Sequence, residues 1–140
     1  MLVLVVEDDA LLAMDLESIL TDAGHTVLGP VASASEALQL VKDAMPDLAL
    51  VDLGLSEGQV GAALARYLLW RFSIHSIFIT GNTQGATAHQ DAALGLLRKP
   101  FTRKDLLSSL GLAKAMMAGS VPTLNVPGFR PFPPPGSDAP

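Results

Sequence analysis

Short apolar runs alternate with amphipathic segments along this chain, and that alternation predicts an α/β fold: a doubly wound, five-stranded parallel sheet of order 2-1-3-4-5 with right-handed crossovers. Three observations carry the prediction. The apolar runs are strand-sized and continuous, as strands buried on both faces are. The segments between them repeat with helical periodicity. Helix-capping residues stand where the two patterns meet.

The elements follow in order. Leu2–Val6 is the first strand. The helix Ala10–Ala23 puts Leu12, Leu16, Ile19, Leu20 and Ala23 on one face, and Gly24 stands at its C-cap. His25–Val31 reads as the second strand. Ser33 and Glu36 have capping-box spacing ahead of a short helix, Ala34–Ala44, and Pro46 closes the connection. Asp47–Asp52 holds a third strand that ends in an acid. The helix Gln59–Phe72 faces inward with Val60, Leu64 and Leu68, and its Trp70 is expected to pack. Ile74–Thr80 is the fourth strand. Thr83–Asp91 is a weak helix, rich in Gly, Ala and Thr, and is expected to be the least stable element. Ala93–Leu97 is the fifth strand. Thr102 caps the helix Arg103–Met117, with Leu106, Leu110, Ala113 and Met117 on one face.

Composition excludes several classes. No apolar run approaches the roughly 20 residues of a membrane span. Met1 leads straight into the first strand with no basic region or cleavage site, which argues against a signal peptide. The chain has no cysteine, so disulfides and thiolate metal sites are excluded, and a cytoplasmic location fits. A net charge of −5 argues against general nucleic-acid binding. Residues 1–57 hold eleven of the fourteen acids, so negative charge gathers toward the N-terminal half. His25, His75 and His89 are scattered and read as ordinary residues.

Residues 1–118 account for the predicted domain. Residues 119–140 carry seven of the ten prolines, which disfavours helix and sheet. This tail reads as a disordered terminus or, through Phe129, Arg130 and Phe132 among the prolines, as a docking peptide.

In an open parallel sheet, ligands bind beyond the carboxyl ends of the strands. The first strand ends at Glu7 and Asp8, and the third, its expected neighbour, ends at Asp52. Carboxylates so gathered repel one another unless a hard cation joins them, and Mg2+ takes one or two carboxylates while keeping waters. Thr80 closes the fourth strand and Lys99 follows the fifth. A metal, a hydroxyl and an ammonium around one carboxylate is the arrangement phosphoryl transfer needs, with Asp52 as nucleophile. Asp9 reads as the cap of the first helix.

VVEDD, LVDLGL around Asp52, FITGN around Thr80 and RKPFT around Lys99, in this order, resemble the receiver domain of two-component response regulators, a flavodoxin-like fold of CheY-like type. The resemblance implies that Asp52 is a phosphoacceptor, that Asp8 ligates Mg2+ directly and Glu7 through water, and that the Gly54 carbonyl is a third protein ligand. It implies that Thr80 and Lys99 partner the phosphoryl group and that the Lys99–Pro100 bond is cis. It further implies a histidine kinase or histidine phosphotransfer protein as donor, and a downstream protein target. Leu11, Leu12, Met14 and Phe101 are the candidate contacts for the donor. Homodimers in this family form through the fourth helix, fifth strand and fifth helix, where Arg98, Arg103 and Lys104 have Asp91 and Asp105 as candidate counter-charges. Such a chain is a phosphoacceptor that assists its own chemistry rather than a conventional enzyme, and here it reads as a stand-alone receiver.

Two positions depart from the family pattern. Leu96 stands where a switch aromatic is usual, and Gly54 has no side chain with which to orient an attacking water, which points to slow hydrolysis. The rival readings are a pseudo-receiver that keeps the fold without phosphorylation, and an enzyme on the same fold. Filled acid, hydroxyl and ammonium positions disfavour the first. Gly54, where an aspartyl phosphatase wants a second acid, disfavours the second, and acids after the first strand disfavour a flavin-phosphate site.

Overall fold

A computed structural model describes residues 1–54 and 60–134. Within these, the elements are β1 (Leu2–Val6), α1 (Ala10–Asp22), β2 (Thr26–Val31), α2 (Ala34–Asp43), β3 (Leu48–Asp52), α3 (Val60–Phe72), β4 (Ser76–Thr80), α4 (Thr83–Thr87), β5 (Gly95–Arg98), α5 (Arg103–Met117) and β6 (Phe129–Pro131). The sheet runs β2-β1-β3-β4-β5-β6. Its first five strands are parallel and in the predicted order. Gln59, the expected start of the third helix, lies outside the described residues.

Strand parity sorts the core into two layers. Val3, Val5, Leu48, Leu50, Ile77, Ile79 and Leu97 pack with α1 and α5. Leu4, Val6, Ala49, Val51, Phe78 and Leu96 pack with α2, α3 and Ala86 of α4.

Caps set the helix bounds. Asp9 Oδ1 accepts from the N–H groups of Leu11 and Leu12 at 3.0 and 3.3 Å, confirming its capping role. Ser33 Oγ accepts from Glu36 N–H at 3.2 Å, and Thr102 Oγ1 accepts from Asp105 N–H at 3.0 Å. Gly24, at φ 92°, closes α1 in a Schellman turn: its N–H bonds Thr21 O at 3.0 Å, and His25 N–H bonds Leu20 O at 2.9 Å. His25 therefore ends the helix rather than opening β2. Ile74 likewise closes α3, its N–H reaching Leu68 O at 3.1 Å, so β4 starts later than predicted.

The weak fourth helix is shorter than expected. It spans five residues, buries Ala86, and is followed by a separate 3-10 turn at Gln90–Ala92. Trp70 is corrected too: it is 79% exposed. Gly61, Leu64, Ala65 and Leu68 take the buried face of α3, and Trp70 falls on the opposite side against the Tyr67 ring.

The larger correction concerns the proline-rich tail, whose described part packs on the domain. Phe129–Pro131 runs antiparallel to β5, pairing Leu97 with Phe129, Leu96 with Arg130 and Gly95 with Pro131. The ladder is flanked by Arg98 N–H to Gly128 O and Phe132 N–H to Leu94 O, both 2.8 Å. Even-numbered tail residues thus turn their backbone groups toward β5. Pro127, Pro131 and Pro133 are all odd-numbered, so their missing N–H groups cost no ladder bond. Phe129 packs into the α1/α5 layer, and Phe132 into the opposite layer with its ring 6.4 Å from that of Phe78.

Candidate phosphoacceptor site

The site forms where β1, β3, β4 and β5 end. Continuing the strand parity, Glu7, Asp52 and Lys99 fall on the α1/α5 side of the sheet, and Thr80 falls on the other. Glu7 and Asp52 are each 3% exposed. Carboxylate oxygens of Glu7, Asp8 and Asp52 lie within 4.8 Å of one another. Lys99 Nζ stands 3.2 Å from Glu7 Oε1 and 3.2 Å from Asp52 Oδ1. Asp52 Oδ1 also accepts from Gly54 N–H at 2.8 Å. The Lys99–Pro100 bond is cis, as the sequence resemblance implied.

The electrostatics follow from packing acids where water is scarce. Burial, reinforced by a hydrogen bond and repulsion from Asp52, pushes the Glu7 carboxyl up to about 7. Burial alone would lower Lys99, but Asp52 and Glu7 outweigh it and raise the ammonium above its ordinary value. The cluster therefore stores an ammonium and a proton against its carboxylates. A hard oxygen set with surplus negative charge suits Mg2+, which would take the place of the Glu7 proton.

A consequence can be measured. Glu7 must lose its proton before it can serve a cation, so protons compete with Mg2+ below about pH 7. Calorimetric titration is expected to show Mg2+ affinity rising up to about tenfold from pH 6 to pH 7, then levelling above pH 8. An affinity flat across that range would contradict a proton stored on Glu7.

Thr80 is buried, and its Oγ1 accepts from Asn82 N–H at 2.9 Å. It borders a cleft of about 260 Å3, shared with Gly54, Asn82, Ala86 and His89. Asn82 Oδ1 is engaged by Gly85 N–H at 3.0 Å as the cap of α4. Leu96 is buried without a ring at the usual aromatic position. On α1, Leu11 and Met14 are 79% and 66% exposed, and a groove bounded by Asp9, Leu11, Leu12 and Phe101 leads to Lys99.

Two charge expectations are corrected. Asp91 pairs bidentately with Arg66 at 2.8 and 2.9 Å rather than with the basic residues near α5. Arg66 also contacts His89 Nδ1 at 2.9 Å, so that histidine is part of a charged cluster. Arg103 instead reaches Asp22 at 3.6 Å.

A fold and a strand-end site of this kind define a receiver, and comparison with known proteins agrees. Residues 3–111 match the response regulator receiver domain family, and the chain belongs to it. It is 34% identical over 101 residues to the phyllosphere-induced regulator PhyR of Methylorubrum extorquens, covering 71% of this chain and 38% of that protein. It is 29% identical over 114 residues to the transcriptional regulatory protein PdtaR of Mycobacterium tuberculosis, covering 79% of this chain and 55% of that one. The chain thus spans about half the length, or less, of these curated relatives. Among solved structures, the signal receiver domain of a modulated diguanylate cyclase from Desulfovibrio desulfuricans is 31% identical with a TM-score of 0.74, covering 84% of this chain and 97% of that one. A PhyR structure gives a TM-score of 0.66 at 29% identity, covering 80% and 44%. The chain is a receiver of two-component signalling. No helix among the described residues is long and apolar enough to cross a membrane.

Proposed function

We propose that Asp52 accepts a phosphoryl group from a phosphohistidine on a histidine kinase or phosphotransfer protein, and that this alters the α4/β5/α5 surface to regulate a partner protein. The observation that carries the proposal is the buried Asp52 carboxylate held between Lys99, Glu7 and Gly54 N–H at the carboxyl end of β3. Oδ1 is occupied by Lys99 and Gly54. Oδ2 attacks phosphorus as the phosphorus–nitrogen bond to the donor histidine breaks; the histidine leaves neutral after taking a proton from solvent. Lys99 and the Thr80 hydroxyl stand ready to receive the charge on the phosphoryl oxygens. Glu7, Asp8, Asp52 and the Gly54 carbonyl would hold Mg2+, which supplies neutralisation of those oxygens. The exposed Leu11, which shares a groove with Phe101 and Lys99, and the exposed Met14 on the same helix give the donor an apolar landing. On this reading the chain is cytoplasmic, and is a phosphoacceptor that assists its own chemistry rather than a conventional enzyme.

The test is incubation of the chain with Mg2+ and acetyl phosphate, read by intact mass. The unaltered chain is expected to gain one phosphoryl group and Asp52→Ala none. An unaltered chain that gains none would leave a pseudo-receiver; gain by Asp52→Ala would place the chemistry elsewhere.

A further inference from the structure

The sheet edge that lies next to the site is covered by the chain's own tail. β6 docks along β5 through a backbone ladder, the mode by which extended peptides add to a sheet. The fit is specific on both strands. A Cβ on Gly95 would meet Arg130 O at 2.6 Å and the Phe129 ring at 2.8 Å, so β5 is bare at the point where the tail crosses it. The tail, for its part, keeps Pro127, Pro131 and Pro133 on the outward parity.

The tail is also tied to the phosphoacceptor site by two routes. Gly128 O holds Arg98 N–H at 2.8 Å, and the next residue, Lys99, carries the ammonium on Asp52. Lys99 N–H in turn bonds Thr80 O at 2.9 Å. Phe132 packs edge-on to Phe78, two residues before Thr80 on β4. A cavity of about 300 Å3, lined by Thr83, Leu96, Arg98, Gly128, Phe129 and Arg130, separates the start of α4 from the strand. At position 96 the chain has no ring, and it is the tail that places an aromatic against β4.

We propose that residues 126–132 are a detachable sixth strand, and that a phosphoryl group on Asp52 releases them and uncovers the β5 edge. The proposal rests on the phosphoacceptor reading above. Docking depends on where Arg98 and Phe78 stand, and these neighbour Lys99 and Thr80. When Lys99 and the Thr80 hydroxyl turn to phosphoryl oxygens, Thr80 gives up its bond from Asn82 N–H and Lys99 gives up Glu7. The ends of β4 and β5 then shift toward Asp52, away from Gly128 and Phe132, and the cavity already between the start of α4 and β6 widens. The docked and free tail are two states, and a phosphoryl group that favours the free one shifts the population.

The experiment uses the full chain. Amide exchange at Arg98 and Phe132 is measured before and after treatment with Mg2+ and acetyl phosphate, with intact mass taken on the same sample. Exchange at Phe132 is expected to quicken at least tenfold in the phosphorylated chain. Untreated Gly95→Ala, in which the added methyl group pushes the tail off, is expected to show the same acceleration. A phosphorylated chain that exchanges at its original rate overturns the release, while the phosphoacceptor reading stands. Unchanged exchange in Gly95→Ala overturns the specific docking. A chain that gains no phosphoryl group fails by mass, and both readings fall together.

Discussion

Lys99→Ala is expected to take up a phosphoryl group from acetyl phosphate about 100-fold more slowly than the unaltered chain, while binding Mg2+ at least as tightly. The first half follows from what Lys99 does beside Asp52. Its ammonium stands 3.2 Å from the oxygen that Gly54 N–H also holds, so it is placed to meet charge arriving on the phosphoryl group. Loss of one such donor from a preorganised site is worth about two orders of magnitude in rate. The second half follows from competition. Ammonium and Mg2+ draw on the same carboxylates of Glu7 and Asp52, and removing the first leaves more negative charge for the second. Initial rates by mass spectrometry and a calorimetric Mg2+ titration separate the two effects. Weaker Mg2+ binding together with slower uptake would make Lys99 a structural support of the metal site.

The second large effect concerns stability. Phe132→Ala is expected to lower the free energy of unfolding by about 3 kcal/mol, measured by urea denaturation. The ring is 5% exposed and lies against Phe78, which is fully buried. Truncating a buried Phe normally forfeits the transfer energy and leaves a cavity. The tail can instead lift off, so the loss is capped by the free energy of docking. That docking is helped because prolines restrict the undocked segment, and less chain entropy is lost on binding. A loss below about 0.5 kcal/mol, the level of an ordinary surface change, would mean that the tail adds nothing to the domain.

The contrast between core and tail shows what a sequence makes legible. β1, β3 and β4 were visible because burial on both faces leaves apolar runs such as Leu48–Val51. The site residues followed from them, since strand order and strand ends place Glu7, Asp8 and Asp52 together with little freedom left. That Lys99 shares a side of the sheet with Glu7 and Asp52, while Thr80 falls on the other, also follows from strand parity. The raised Glu7 carboxyl is different: it depends on burial and on the Asp52 hydrogen bond, which only three-dimensional packing supplies.

β6 was hidden because its prolines signal broken structure when they are counted. Their placement carries the information instead. Pro127, Pro131 and Pro133 share one parity, the pattern an edge strand needs, while Gly95 in an otherwise apolar strand marks a close backbone approach. Either signal could have been read, but neither means anything without the other. Trp70 misled for a related reason: its size suggests a packing residue, yet the small residues Gly61 and Ala65 set the face on which α3 packs. The fourth helix was predicted too long because alanine-rich sequence has helix propensity without the apolar stripe that would hold it down.

The identity of the acceptor is settled most directly by finding where the phosphoryl group sits. Acyl phosphates are reduced by borohydride to the alcohol, which marks the acceptor carboxylate permanently for peptide mapping. After treatment with Mg2+ and acetyl phosphate, the reduced mark is expected on Asp52, and to vanish when Mg2+ is withheld. A mark on Glu7 or Asp8, or a phosphoryl group on a histidine with Asp52 unmodified, would contradict the assignment of Asp52 as the phosphoacceptor.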